Sequence, residues 1–340
     1  MKLGVLTGGG DCAGLNAVIR AVVRRSEDYG YEVVGIRRGW AGLMSPDTVR
    51  LSYEDVEASL PLGGTLLLTS RTNPYAKEGG PETVMANFAG LGLDCLIAVG
   101  GEDTLGVAQK LSEKGLKVVG VPKTIDNDLS ATDVTFGFNT AVDVAMEAID
   151  RIKTTGESHE RTMVVEVMGR GAGWIATYAG IASGAHAILV PEQPFDLQVI
   201  CDRLQARAKR GKKSSLIVVA EGARAKEWKE ASDSGRPLDQ FGHPILGGVG
   251  HFVAQEVERR TGFETREVVL GHLIRGGSPN AFDRVLATRF GVAAVDLVEA
   301  KGFGRMVALH GNHIISVDIK EALKPKQLDM DLLAMGQEFR

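Results

Sequence analysis

Pro122-Lys123-Thr124-Ile125-Asp126-Asn127-Asp128 sets two carboxylates two residues apart, beside a lysine and a threonine, directly after the apolar run Val118-Val119-Gly120-Val121. A strand ending in such a cluster delivers polar groups to the carboxyl edge of an open parallel sheet. One carboxylate there can take a proton while the other helps hold a metal, and the lysine can meet a phosphate. The same residue types also build an Asx-rich turn with no chemistry. The rest of the chain decides between the two.

Glycine-rich clusters follow other apolar runs. Gly8-Gly9-Gly10-Asp11 succeeds Leu3–Thr7, and Gly100-Gly101-Glu102-Asp103-Thr104 succeeds Cys95–Val99. Glycine lets backbone amides approach an anion closely, and a helix N-terminus favours negative charge. Gly8, Gly10 and Ala13 match the spacing of a dinucleotide fingerprint, but Arg37-Arg38 stands where a ribose-binding acid is expected, so a nicotinamide reading is weak. An acid at a phosphate site repels its ligand unless a cation intervenes. Glu102 or Asp103 therefore suggests Mg²⁺, which uses few carboxylates plus phosphate oxygens. Asp103 fits equally as an N-cap of the next helix. Arg71, Arg161, Arg170, Arg266 and Arg275 fall at strand ends or in glycine-rich loops. Arginine suits bidentate phosphate recognition, and five at such positions favour a ligand with several phosphates. His272 beside Arg275-Gly276-Gly277 is a further candidate, although a lone histidine is usually structural.

These groups need a scaffold of alternating strands and helices. Strands are expected at 3–7, 32–36, 65–68, 95–99, 117–121, 163–167, 186–190, 215–219 and 267–271, with two short ones near 305–316. Helices are expected at 15–28, 81–90, 104–114, 139–153, 173–182, 196–209, 246–260 and 283–299. The alternation predicts an α/β protein of two Rossmann-like domains with mainly parallel sheets. The first domain is expected over 1–137 plus 275–303, the second over 138–274 plus 304–320, with 321–340 as a C-terminal tail. Residues 225–240 read as a polar excursion.

Composition narrows the function classes. A chain of 340 residues with 44% hydrophobic content can build two cores. A net charge of −4 favours neither nucleic acid nor an anionic membrane as a bulk partner. No apolar run reaches the roughly 18 residues of a membrane span, and Met1-Lys2 runs straight into a strand without a signal-peptide pattern. Cys12, Cys95 and Cys201 lack metal-ligand spacing and read as reduced thiols of a cytoplasmic protein.

Taken together the motifs resemble the phosphofructokinase family. Gly8–Asp11, Gly100–Thr104, Thr124–Asp128, Met168-Gly169-Arg170 and Gly271-His272-Leu273-Ile274-Arg275-Gly276-Gly277-Ser278-Pro279 occur in the family's order and spacing, covering the chain to about residue 320. The resemblance implies phosphoryl transfer to the 1-hydroxyl of fructose 6-phosphate in a cleft between the domains. It implies Asp126 as general base, Thr124 orienting substrate and phosphoryl group, and Asp128 with Glu102 at Mg²⁺. Arg170 and the amides around Gly9 would offset charge in the transition state. Met168, Gly169, Glu221, His272 and Arg275 would meet the sugar phosphate. Arg161 and Arg266 would reach it from a neighbouring subunit of a homodimer or homotetramer. Gly9, Gly10, Arg71, Gly101, Asp103 and Lys123 would hold the donor.

Within that family the residues resemble the branch that uses inorganic diphosphate. ATP-type members usually have glycine where this chain has Asp103, which leaves room for the nucleotide's α-phosphate. A carboxylate about 4 Å from that phosphate would cost on the order of 4 kcal/mol at an effective dielectric of about 20. Lys123 supplies a cation for the leaving phosphate of diphosphate. The rivals are an ATP-dependent enzyme on the same fold, an NAD kinase, and a non-catalytic phosphosugar-binding regulator. The Thr-Ile-Asp-Asn-Asp segment together with the 271–279 loop argues against the NAD kinase, and intact Asp126 and Asp128 argue against the regulator. Basic residues Arg20, Arg24, Arg210, Lys212 and Lys213 retain some character of an effector site, but His186 stands where an effector's metal needs an acid, so nucleotide regulation is expected to be weak or absent.

Overall fold

The computed structural model describes residues 1–226, 238, 241–242 and 246–338; most of the polar excursion expected at 225–240 lies outside the described residues. Strands β1 (Lys2–Thr7), β2 (Glu32–Ile36), β3 (Thr48–Leu51), β4 (Cys95–Gly100), β5 (Val118–Thr124) and β6 (Phe136–Gly137) come first. They are followed by β7 (Thr162–Val167), β8 (Ala187–Leu189), β9 (Ser215–Ala220) and β10 (Thr265–Val269), then β11 (Arg305–His310) and β12 (His313–Asp318). The chain divides into two compact units, one of Met1–Thr140 with Arg275–Lys326 and a short piece at Phe241, the other built mainly from 141–226, 246–274 and the chain after 326.

The first unit holds an eight-stranded sheet in the order β12-β11-β5-β4-β1-β2-β3, with β6 paired to β5 off that path. Every residue of β4 and β5 is buried, as expected of parallel strands covered on both faces. Each fully buried valine, leucine or isoleucine there contributes about 1.5–3 kcal/mol. β1 pairs in parallel with β2 on one side and β4 on the other. The chain order reverses between β1 and β4, and that switch point is where open α/β sheets bind ligands.

Two sequence expectations change in this unit, and one strand absent from them is added. Residues 304–320, placed in the second domain from sequence, belong to the first sheet: β11 runs parallel to β5 with Arg305 opposite Val119, and β12 folds back antiparallel on β11. Residues 65–68 form a turn rather than a strand, with the Leu68 N–H donating to the Thr65 carbonyl at 3.2 Å and Leu68 at a φ of 57°. Leu67 instead covers Gly35 of β2, where an added Cβ would stand 2.4 Å from Leu67 Cδ2. The edge strand beside β2 is antiparallel β3, whose short Thr-Val-Arg-Leu run carries little periodic signal.

The second unit has one four-stranded, all-parallel sheet in the order β10-β7-β9-β8. Its core on one face joins Val164, Ile217 and Val219 to Leu197, Cys201 and Leu204 of the helix Leu197–Lys209 and to Val253 and Val257 of the helix Val249–Thr261. Those helical positions recur three and four residues apart, the spacing that puts them on one face. Among the described residues, no helix is long and apolar enough to cross a membrane.

Candidate active site

The loops after β1, β4 and β5 leave neighbouring strands of the first sheet side by side. Lys123 sits on β5 with only 3% of its surface exposed, and its Nζ donates to the Gly10 carbonyl. A Cβ added to Gly9 would lie 3.5 Å from that Nζ, and one added to Gly10 would lie 2.6 Å from Arg275 Nη1. Arg275 Nη1 also donates to the Asp11 carbonyl at 3.2 Å. Two cations therefore flank the glycine loop. Burial holds the Lys123 ammonium below the ordinary lysine pKa, opposed by the nearby Asp126 and Asp11 carboxylates. Arg275, which the family resemblance puts at the sugar phosphate, stands in this unit against the glycine loop.

The glycine loop itself differs from the sequence expectation. The helix Leu15–Asp28 starts four residues beyond Asp11, capped by Gly14 at a φ of 103°. The N–H groups of Gly8 and Gly9 are committed to the Val99 and Ser70 carbonyls at 3.0 and 3.1 Å. Thr69 Oγ1 donates to the Gly9 carbonyl at 2.6 Å. The Gly9 amide is thus engaged within the fold rather than aimed at an anion, and Lys123 supplies the positive charge there. Ser70 precedes Arg71, an exposed side chain, so Arg71 flanks the same loop. Thr104, not singled out from sequence, fills the gap between the two loops: a Cβ on Gly8 or Gly100 would stand 2.5 or 2.3 Å from its side chain. Its type and position gave no signal, because only the packing of β1 beside β4 makes it a wedge.

Gly101 is the N-cap of the helix Glu102–Glu113, and Glu102 and Asp103 lie in its first turn. Asp103 is therefore not the cap, and the capping explanation for an acid at this position falls away. Acids in a first turn are favoured by the helix dipole. β4 and β5 pair with Gly100 opposite Pro122, which brings the Gly101–Asp103 turn alongside the segment after Thr124.

That segment is tightly held. The Asp126 N–H donates to Thr124 Oγ1 at 3.0 Å. Thr135 Oγ1 donates to the Thr124 carbonyl at 2.8 Å, and the Thr135 N–H donates to Asn127 Oδ1 at 3.2 Å. Asn127 has a φ of 51°, a left-handed conformation that asparagine tolerates better than most residues. The Asx-rich turn is real, and it coexists with an anomaly that a turn does not need. Asp126 is 7% exposed, and its Oδ1 is buried without a hydrogen-bond partner. A buried acceptor left unsatisfied costs about 1–3 kcal/mol, more if charged. Such an orphaned acceptor calls for a partner that the folded chain does not supply, such as a water, an ion or a reacting group.

Mg²⁺ fits the donor set of this unit. Glu102 is exposed at the helix start and Asp128 is half-buried on the β5 loop. Among the described residues no group of three or more histidine, cysteine and acidic side chains gathers. A pair of carboxylates completed by phosphate oxygens is the hard, sparse donor set that Mg²⁺ takes.

In the second unit the ends of β7 and β9 interlock. Glu221 Oε1 accepts from the Gly169 and Arg170 N–H groups at 3.1 and 2.8 Å. Arg170 has a φ of 53°, strain of order 1–3 kcal/mol of the kind that collects in functional loops. A Cβ on Gly222 would lie 2.2 Å from the Arg170 carbonyl, so only glycine permits this closeness. Met168 precedes this loop. His272 follows β10 in the 3₁₀ turn Gly271–Arg275 and is exposed. Met168, Gly169, Arg170, Glu221 and His272 thus share the carboxyl edge of adjacent strands β10, β7 and β9.

Arg161 and Arg266 lie elsewhere. Arg161 precedes β7, and Arg266 is the second residue of β10, opposite Met163. They stand at the amino edge of the sheet, about 17 Å (Arg266, opposite Met163) and about 23 Å (Arg161) along β7 from Met168 at roughly 3.3 Å per residue. There both bind Glu264 Oε1, at 2.8 and 2.5 Å. The Arg161 hydrogen bond holds the Glu264 carboxyl below the usual range. His186 is also used internally, its Nδ1 accepting from the Leu216 N–H at 2.9 Å. Cys12, Cys95 and Cys201 are buried and free, and burial pushes the Cys12 and Cys95 thiols up to about 12.

Comparison with known proteins identifies the family. Residues 2–298 match the family model described as phosphofructokinase. A protein of Amycolatopsis methanolica named pyrophosphate–fructose 6-phosphate 1-phosphotransferase is 58% identical over 95% of this chain and 94% of its own. A Streptomyces coelicolor protein named ATP-dependent 6-phosphofructokinase 3 is 50% identical over 95% of each. Among solved structures, phosphofructokinase of Saccharomyces cerevisiae superposes with a TM-score of 0.81 at 32% identity over 95% of this chain, which spans 45% of the yeast chain. The chain belongs to the phosphofructokinase family.

Proposed function

We propose that this protein is a diphosphate–fructose-6-phosphate 1-phosphotransferase. It transfers a phosphoryl group reversibly from inorganic diphosphate to the 1-hydroxyl of fructose 6-phosphate, giving fructose 1,6-bisphosphate and phosphate. The observation that carries the reading is the pairing of a buried cation with a buried, unsatisfied carboxylate on one strand end: Lys123 at the glycine loop and Asp126 with its Oδ1 free of partners. A lysine taken out of water is costly unless it meets an anion, and a small, highly charged donor supplies one.

Asp126 accepts the proton of the attacking hydroxyl, and Thr124 fixes the Asp126 backbone. Lys123 and Arg275 offset charge on the donor beside Gly9, Gly10 and Arg71. Glu102 and Asp128 would hold Mg²⁺, which when bound neutralises phosphate oxygens as charge shifts. Asp103 sits beside Gly101, where its charge opposes the α-phosphate of a nucleotide. In the second unit Met168, Gly169, Arg170, Glu221 and His272 form the acceptor side. Glu221 holds the Gly169–Arg170 backbone, and Arg170 would meet phosphate. Arg161 and Arg266, at the far edge of that sheet, serve the site of a second copy in a homodimer or homotetramer. The buried free thiols suit a reducing compartment such as the cytoplasm.

A second reading, ATP as donor, is favoured by the 50% identity to a protein named for ATP dependence. Replacing the base tests what the two readings share. Asp126→Asn should lower kcat about 10²–10⁴-fold, the usual contribution of a general base, while fructose 6-phosphate still binds within a few-fold of wild type. Full turnover by this variant would remove Asp126 from the chemistry.

A further inference from the structure

Lys326 reaches the Thr124–Thr135 loop from a part of the chain with no role in the reading above. Its Nζ donates to Asn127 Oδ1 at 3.1 Å, to the Thr132 carbonyl at 3.1 Å and to the Asp133 carbonyl at 2.5 Å. Its backbone N–H donates to the Asp128 carbonyl at 3.2 Å. The preceding residues follow the same path: Pro325 bridges Leu129, and the Ser130 N–H donates to the Ala322 carbonyl at 3.1 Å. One side chain therefore satisfies three acceptors that the loop turns inward.

The three acceptors lie on both limbs of the loop, before and after the bridge at Leu129. An ammonium offers three donors in a compact tetrahedral head, which matches this set. Asn127 is 2% exposed and left-handed, and it is the pivot that sets the directions of Asp126 and Asp128. Its carboxamide oxygen takes one N–H from Thr135 and one from Lys326. Without Lys326 the carbonyls of Thr132 and Asp133 lose this donor, and the Asn127 carboxamide oxygen is held only by Thr135, from one side.

The geometry points to Lys326 as a positioning residue that locks the Asp126–Asp128 turn from behind through Asn127. It touches no substrate and acts only through the loop. The inference rests on the proposed phosphotransferase reading, because it concerns the placement of that reaction's base.

The test is steady-state kinetics of Lys326→Met, Asn127→Ala and the double variant, with fructose 6-phosphate, Mg²⁺ and diphosphate. Active enzyme is counted by fructose 6-phosphate binding. Lys326→Met should lower kcat about tenfold or more while the KM for fructose 6-phosphate stays within about twofold, since the acceptor groups belong to the second unit. A residue acting only through Asn127 adds nothing once Asn127 is gone, so the double variant should match the worse single within about twofold. Lys326→Arg, which keeps the charge and several donors, should recover part of kcat. If Lys326→Met fails to fold, Lys326→Gln is read the same way. An unchanged kcat, equal shifts in kcat and KM, or multiplying losses in the double variant would overturn the inference. Wild-type turnover with ATP alone would sink only the donor reading, and the same comparison would then be made with ATP. A wild type inactive with both donors would overturn both.

Discussion

In the first unit Lys123 is buried at the end of β5, while in the second Arg161 and Arg266 stand partly exposed at the starts of β7 and β10. Lys123 has a carbonyl for its hydrogen bond and pays the full desolvation of its charge. The two arginines share the carboxylate of Glu264, which raises the Arg161 pKa. A cation held against its own solvation is poised for a ligand that the folded chain does not contain. A cation already paired contributes little at the surface and can be recruited by a neighbouring molecule at small cost. Under the proposed function, the difference separates the cation assigned to the donor from the two assigned to another copy's site.

Lys123→Met breaks the comparison most severely. Removing one preorganised charge from a reacting phosphate should cost about 10²–10³ in kcat. The same change relieves a buried charge, so the melting temperature should equal or exceed that of the wild type. A variant that loses activity and stability together would make Lys123 a structural residue. Calorimetry alongside initial rates distinguishes the two.

Arg266→Ala should raise the KM for fructose 6-phosphate roughly tenfold, the scale of a hydrogen bond to a charged group. Complementation sharpens this. Mixed oligomers of Arg266→Ala and Asp126→Asn chains would contain sites with an intact base from one chain and an intact arginine from the other. Recovery of low-KM turnover on mixing is the expected result. Purely additive activity of the two preparations would return Arg266 to its own chain.

The smallest effect lies in the second unit's surface pairs. Arg259 and Arg260 hold the Glu256 carboxyl at about 2, down from 4.5. Its folded pKa is depressed, so its stabilisation is present above pH 4.5 and is lost as pH falls toward 2. Glu256 and Arg260 are partly covered while Arg259 stands in solvent, which screens its share of the pairing, so Glu256→Gln should cost about 1 kcal/mol at pH 7. The cost should vanish near pH 2. Denaturant melts of both proteins at the two pH values measure it, and a gap that widens on acidification would contradict the assignment.

The parts legible in the sequence were those with a local physical signature. β4 and β5 read as continuous apolar runs, and the motif after β5 could be placed at a sheet edge before any coordinates. Other features depended on partners far along the chain. Whether Asp103 capped the helix or followed the cap turned on two residues of helix start, which propensity does not resolve. β11 and β12 were visible as strands, but their membership of the first sheet is fixed by pairing with β5. Arg161 and Arg266 had the right type for phosphate, yet only the β7–β10 register puts them at the opposite edge from Met168. Lys326 carried no motif at all, because its role exists only where the chain after β12 folds back on the Asn127 turn.

The donor is the central claim, and initial rates measure it most directly. One preparation is assayed with fructose 6-phosphate and Mg²⁺, with diphosphate in one reaction and ATP in the other. Turnover is expected with diphosphate and little or none with ATP. Turnover with ATP alone would keep Asp126 as the base but contradict Lys123 and Asp103 as the groups that select the donor.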